Sequence, residues 1–227
     1  MTKKNKNKSQ SEPRQKAQYK QDSTFHLEFL NLEQKNSYEV FMKNEIVFLI
    51  GEAGSGKTFL STAFALSSLL SKKTRKIVIS RPIVEAGEKL GFLPGTFDEK
   101  VLPYMLPIYD TLDDLVGKEG LQREYVNKCL EVAPIAYLRG RTFKNSIAIL
   151  DEAQNATKTQ LKLFLTRIGM GSKLLITGDP KQSDLGQASG LMEVVEKLRG
   201  IKGIGIIEFS SDAIVRHPII SSIIKKI

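Results

Sequence analysis

The chain of 227 residues holds a single cysteine, Cys129, and no tryptophan. One thiol excludes an internal disulfide and any cysteine cluster that could hold zinc. Long apolar runs are missing too, so no stretch has the length that a bilayer crossing needs. The opening Met1-Thr2-Lys3-Lys4-Asn5-Lys6 continues polar and lacks the hydrophobic stretch of a secretory signal. Aromatic residues are 7% of the chain and form no stacking motif of the RNA-binding kind. The expectation is a soluble cytoplasmic protein with no membrane partner. At this length it buries one good core with a small appendage, not two full domains.

Acidic charge is scarce at the start. Residues 1–20 carry seven Lys or Arg against Glu12 alone, a balance of +6 out of the chain's +9. With no apolar pattern to bury, residues 1–22 are expected to form a disordered basic tail, and 23–227 the folded domain. A basic arm neutralises phosphates and holds RNA or DNA weakly. It serves equally as a solubilising tail, and both readings stay open.

What the chain does have is a repeating order of short apolar runs and amphipathic stretches. Glu33 to Met42 reads as a helix with Tyr38, Phe41 and Met42 on one side. Ile46-Val47-Phe48-Leu49-Ile50 reads as a strand, followed by a helix to about Ser71. Lys76-Ile77-Val78-Ile79-Ser80, Ile147-Ala148-Ile149-Leu150, Lys173-Leu174-Leu175-Ile176-Thr177 and Gly203 to Phe209 are further strands. Thr157 and Gln160 form a capping box for a helix facing inward with Leu161, Phe164, Leu165 and Ile168, stopped by Gly169. Leu191, Val194, Val195 and Leu198 mark another, closed by Gly200. Strands alternating with helices imply an α/β fold, a mainly parallel sheet with helices on both faces. Residues 81–145 break the rhythm with five of the eight prolines. So long a connection reads as a helical or irregular insertion that contacts a partner or substrate.

Gly51-Glu52-Ala53-Gly54-Ser55-Gly56-Lys57-Thr58 is a complete GxxxxGK[ST] phosphate-binding loop, set between a strand and a helix as the motif requires. Its glycines let successive N–H groups turn toward phosphate oxygens, and the helix N-terminus adds its positive dipole end. Lys57 reaches the β- and γ-phosphates, and the Thr58 hydroxyl binds Mg²⁺. Asp151, ending an apolar strand, is the second Mg²⁺-organising carboxylate, and Glu152 polarises the water that attacks the γ-phosphorus. Gln182, after Gly178-Asp179-Pro180-Lys181, is placed to hydrogen-bond the γ-phosphate or that water. These groups all follow strands, where ligands of parallel sheets bind. Phosphoryl transfer also calls for an arginine, often from a neighbouring subunit, and Arg81, Arg139, Arg141, Arg167 and Arg216 are candidates. His217 and Cys129 read as structural residues.

Taken together, the segments closely resemble the PhoH-like family of ATPases, related to the nucleotide-binding core of superfamily 1 helicases. The carrying residues are 51–58, Arg81-Pro82-Ile83-Val84-Glu85-Ala86-Gly87-Glu88-Lys89-Leu90-Gly91-Phe92-Leu93-Pro94-Gly95, Ala133 to Thr142, Leu150-Asp151-Glu152-Ala153-Gln154-Asn155, Phe164 to Gly169, Thr177-Gly178-Asp179, Gln182, and Val215-Arg216-His217-Pro218. The match runs from about Gln34 to Pro218. The resemblance implies a P-loop NTPase of RecA-like fold that binds and hydrolyses ATP with Mg²⁺, with a helicase-like core linked to RNA or single-stranded DNA. It also implies that Gln34 reads adenine. Leu102 and Leu106 depart from it, standing where the family commonly has Asp and Arg. Some members form rings, so a homo-oligomer, a hexameric ring among the options, would supply Arg141, Arg167 or Arg216 across a subunit boundary. Two other classes stand beside this one. A thymidine-kinase-type enzyme usually carries a four-cysteine zinc site, which Cys129 cannot build. An ATP-dependent regulatory module with negligible turnover stays open.

Overall fold

The structure is a computed structural model that describes residues 27–83 and 97–210. In chain order these form α1 (Leu32–Lys43), β1 (Ile46–Ile50), α2 (Lys57–Leu70), β2 (Lys76–Ser80), α3 (Phe97–Val116), α4 (Leu121–Cys129), β3 (Leu130–Val132), β4 (Ser146–Leu150), α5 (Lys158–Leu165), β5 (Lys173–Gly178), α6 (Leu191–Leu198) and β6 (Ile204–Glu208). All six strands join one sheet in the order β3-β2-β4-β5-β1-β6, and every pairing is parallel.

Successive side chains of a strand point to opposite faces, so an unbroken apolar run feeds two cores at once. Val47 and Leu49 of β1, Ile77 and Ile79 of β2, Ile147 and Ile149 of β4 and Leu175 of β5 enter one cluster. Phe41, Leu60, Phe64, Met105, Ile108, Leu112 and Val126 from α1 to α4 cover that face. Phe48, Ile50, Val78, Ala148, Leu150, Leu174 and Ile176 enter the other, under Leu161 and Phe164 of α5 and Leu191 and Val195 of α6. The chain therefore leaves β1 over one face and the adjacent β5 over the other. Connections diverging in this way open a crevice beyond the strands' carboxyl ends.

Local chemistry fixes the helices against this sheet. Thr157 and Gln160 exchange both bonds of the capping box at the start of α5. Lys173, the first residue of β5, donates to the carbonyls of Phe41 at 2.8 Å and Asn44 at 2.5 Å, and lies over the Phe41 ring. A cation on the last carbonyls of α1 suits the negative end of the helix dipole. Burial pushes the pKa of this ammonium down.

The segment after β2 is helical, one of the two characters expected of it. It supplies α3 and α4, and adds an edge strand, β3, which pairs with β2 and was not anticipated. Pro103 and Pro107, read as breakers, lie inside α3. An interior proline costs about 3 kcal/mol. Met105, Ile108 and Leu112 each return about 1.5–3 kcal/mol on burial, so packing against α2 offsets the cost of the prolines. Two smaller differences have similar causes. Met42 is exposed while Gln34 and Ser37 face inward with Phe41. Ile168 lies beyond α5, in a bridge to Phe143, because the helix already ends at Leu165.

Glu131 of β3 ties this edge down. It accepts from both terminal nitrogens of Arg141 and from Lys76 Nζ at 2.5 Å. Arg141 first, then Lys76, hold its carboxyl well below the ordinary 4.5, at about 2. A carboxyl depressed in the native state adds stability above its unfolded pKa and loses it as pH falls. Glu131→Gln is therefore expected to lower Tm at neutral pH. The gap to wild type should narrow between pH 4.5 and about 2 in thermal melts.

Candidate nucleotide-binding site

The loop between β1 and α2 is held from below before any ligand is considered. The Gly51 N–H donates to Gly178 O at 3.1 Å, and the Phe209 N–H to Ile50 O at 2.7 Å. A Cβ on Gly51 would stand 2.8 Å from that of Phe209, so a glycine is needed for the close approach. Gly54 and Gly56 take φ of 91° and 80°, the left-handed region glycine adopts at little cost. The loop curls around its own lysine. Lys57 Nζ donates to Glu52 O at 2.8 Å, and Ser55 Oγ donates to the same carbonyl at 2.8 Å.

Asp151 follows β4 and is 2% exposed. Its Oδ1 accepts from Thr58 Oγ1 at 2.8 Å and from Thr177 Oγ1 at 2.6 Å. The two hydroxyls meet the hydrogen-bonding demand of a buried carboxylate oxygen. The structure thus joins the first turn of α2, the end of β4 and the end of β5 through one oxygen. These are hard oxygen ligands of the kind Mg²⁺ takes. Among the described residues no group of three or more His, Cys, Asp or Glu gathers for a metal. Mg²⁺ is ordinarily held by one or two protein groups together with substrate phosphates and water, so this small donor set fits it.

Glu152 adopts φ 55°, ψ 42°, a left-handed conformation that costs a non-glycine residue about 1–2 kcal/mol. Such strain gathers where a side chain must be aimed. Its Oε1 accepts from Arg81 Nη2 at 3.1 Å, and its Oε2 from Gln154 Nε2. Gln154, 1% exposed, uses its other end to accept the Asp179 N–H at 3.0 Å. Asp179 Oδ2 in turn accepts the Ala53 N–H of the phosphate loop at 2.7 Å. A cleft of about 490 Å³ opens beside this chain of bonds, lined by Arg81, Glu152, Gln154, Asn155, Gln182, Ser183 and Asp184.

The structure therefore brings together Lys57, Thr58, Asp151 and Glu152, with Gln182 on the cleft wall. Gln34 is buried, and its Oε1 accepts the Leu30 N–H at 2.9 Å. Its Nε2 lies against Gly56, 3.4 Å from where a Cβ would stand. Arg141 and Arg167 lie elsewhere. Arg141 is paired with Glu131, and Arg167 donates to Leu163 O and Arg141 O. Nearby backbone bonds, Phe143 N–H to Arg167 O and Asn145 N–H to Met170 O, set both near the amino ends of β4 and β5. Arg216 and His217, the basic tail and residues 84–95 lie outside the described residues. Sequence reasoning assigned no role to Gln154, Thr177 or Asp179. Their signal was positional, since each stands at the carboxyl end of β4 or β5 beside a residue that was singled out.

Fold and site together define a P-loop NTPase core, α/β with a parallel six-stranded sheet and a nucleotide-binding loop after β1. The chain belongs to the PhoH-like protein family, whose model matches residues 26–227. It is 48% identical over 194 residues to the PhoH-like protein of Bacillus subtilis (strain 168), covering 85% of this chain and 61% of that one. It is 44% identical over 177 residues to Protein PhoH of Escherichia coli (strain K12), covering 76% of this chain and 50% of the other. The chain thus spans between half and about three fifths of these relatives. Among solved structures, the large terminase from a thermophilic bacteriophage aligns with TM-score 0.52 at 13% identity. That alignment covers 86% of this chain and 49% of the terminase, a likeness of fold. No helix among the described residues is long and apolar enough to cross a membrane.

Thr177→Val keeps the side chain's volume and removes one of the two hydroxyl donors to Asp151. A hydrogen bond to a charged group contributes about 1.5–3 kcal/mol. A loss of that order is expected in urea denaturation at neutral pH.

Proposed function

We propose that the chain binds ATP with Mg²⁺ and hydrolyses it to ADP and phosphate. The observation that carries this is the 2.8 Å bond between Thr58 Oγ1 and Asp151 Oδ1 beside a complete phosphate loop. Lys57 exchanges the Glu52 carbonyl for phosphate oxygens, and the positive end of the α2 dipole faces the same anion. Thr58 and Asp151 hold the metal, whose chemistry when bound is to neutralise charge on the phosphate oxygens. Glu152 accepts the proton of the attacking water, and Gln182 orients that water or contacts the γ-phosphate from the cleft wall. Gln34, against Gly56, reads the adenine edge.

The partner in this reading is RNA or single-stranded DNA, supported by the +6 balance of residues 1–20. The basic tail of residues 1–22 and the domain 23–227 then divide the work between polymer contact and hydrolysis. An arginine from a second copy in a homo-oligomeric ring completes the site, with Arg141, Arg167 or Arg216 in that role.

Nucleotide binding and turnover in two variants test the chemistry. Lys57→Ala is expected to lose ATP binding. Glu152→Gln is expected to keep binding and lose turnover by about 100-fold or more, the usual contribution of a general base. A wild-type chain that binds ATP with negligible turnover, with or without polymer, would establish a regulatory module instead. In the same assay RNA or single-stranded DNA should raise turnover, and the concentration needed should climb with salt. Rates indifferent to polymer at low and high salt would remove nucleic acid from the proposal.

A further inference from the structure

The Glu152 carboxylate is engaged on both oxygens from within the chain, by Arg81 on Oε1 and by Gln154 on Oε2. The Gln154 bond belongs to the links that join β4 to β5 and the phosphate loop. The Arg81 bond leads elsewhere. Its second terminal nitrogen, Nη1, donates to the backbone carbonyl of Tyr104 at 3.1 Å, inside α3. Arg81 directly follows β2, and the Asp151 N–H donates to Ser80 O at 2.9 Å, so the backbone bases of Arg81 and Glu152 are fixed to each other. Only the far end of the guanidinium answers to α3.

We infer that Arg81 is a positioning residue that restrains Glu152 and makes its release depend on the placement of α3. The inference rests on Glu152 being the base. A base must offer a lone pair to the water it deprotonates, and a charged N–H donor on the same carboxylate competes with that water. The guanidinium is planar, and its two terminal nitrogens keep a fixed separation. Movement of the Tyr104 carbonyl therefore turns the fork and carries Nη2 toward or away from Oε1. The side chains of Arg81 and Glu152 are 20% and 34% exposed, so water screens this contact less than a surface pair. α3 belongs to the long segment after β2 and rests on α2 through Met105, Ile108 and Leu112. What reaches the base through Arg81 is thus the position of the peripheral helix.

Steady-state kinetics on four proteins test the inference: wild type, Arg81→Ala, Glu152→Gln and the double variant. Arg81→Ala is expected to raise kcat about tenfold, the equivalent of one charge-assisted hydrogen bond. KM for ATP should stay unchanged and the melting curve cooperative. Arg81→Lys, which restores a charge beside Glu152, should bring most of the restraint back. The double variant should be as slow as Glu152→Gln. A fall in kcat for a folded Arg81→Ala, or a gain that persists without Glu152, overturns the inference. Wild-type turnover that survives Glu152→Gln instead overturns the assignment of the base. Hydrogen exchange reads the α3 end separately. Exchange across residues 104–112 should change on ATP binding in wild type and much less in Arg81→Ala, and an equal change in both breaks the link to α3.

Discussion

β5 lies between the strand that ends in the phosphate loop and the strand that ends in Asp151, and this order sets the spacing of the whole site. Neighbouring strands stand about 4.8 Å apart, so β1 and β4 are separated by roughly 10 Å at their carboxyl ends. No side chain as short as aspartate crosses that gap to the loop itself. Two hydroxyls bridge it. Thr177 rises from β5 directly beneath, and Thr58 leans in from the first turn of α2, both onto Asp151 Oδ1. Were β4 adjacent to β1, the space above β5 in which phosphate and metal are proposed to sit would not exist.

The same strand explains how the parts are held rigid. Gly178, the last residue of β5, has no side chain where a Cβ would stand 2.5 Å from Leu191 Cδ2 and 3.2 Å from Gln154 Oε1. That vacancy lets Gln154 come down onto the backbone of β5 and reach the Asp179 N–H. Asp179 then turns its carboxylate to the Ala53 N–H. Gln154 and Asp179 are buried and have their polar ends bonded, the condition under which a polar network rigidifies rather than destabilises. The Asp179 bond has a further consequence. It takes up one of the N–H groups that a phosphate-binding loop turns toward its ligand.

Much of this was legible in the residues. The phosphate loop, five of the six strands, the Thr157–Gln160 cap and the positions of Asp151 and Glu152 follow from local pattern, because each is set by neighbours in sequence. What escaped reading was set by distant neighbours. β3 is three residues long and half-buried throughout, and its strand character comes from pairing with β2, not from an apolar run. α3 carries two prolines and is held by what it packs against. Gln154 and Thr177 look like ordinary residues of a turn and a strand end until the fold places β4 beside β5. Met42 was misplaced because a polar residue, Gln34, takes the inward face that apolar periodicity would give to a hydrophobic one.

The arginines raise the question of how many copies make a site. The strands are parallel, so the chain has two unlike ends, with the phosphate loop at the carboxyl ends and Arg141 and Arg167 near the amino ends. A sheet cannot bend those ends together within one copy. If either arginine completes the site of a second copy, the amino-end region of one subunit must meet the carboxyl-end crevice of the next. Such a contact joins two different surfaces, so it cannot be isologous, and repeating it yields a closed ring or an open filament. The pairing of Arg141 with Glu131 then has a cost in that arrangement. A guanidinium already bound to a carboxylate on both terminal nitrogens must leave it to reach a phosphate. Arg167, tied among the described residues to the backbone carbonyls of Leu163 and Arg141, gives up less. Of the two described arginines it is the better placed energetically to cross the boundary.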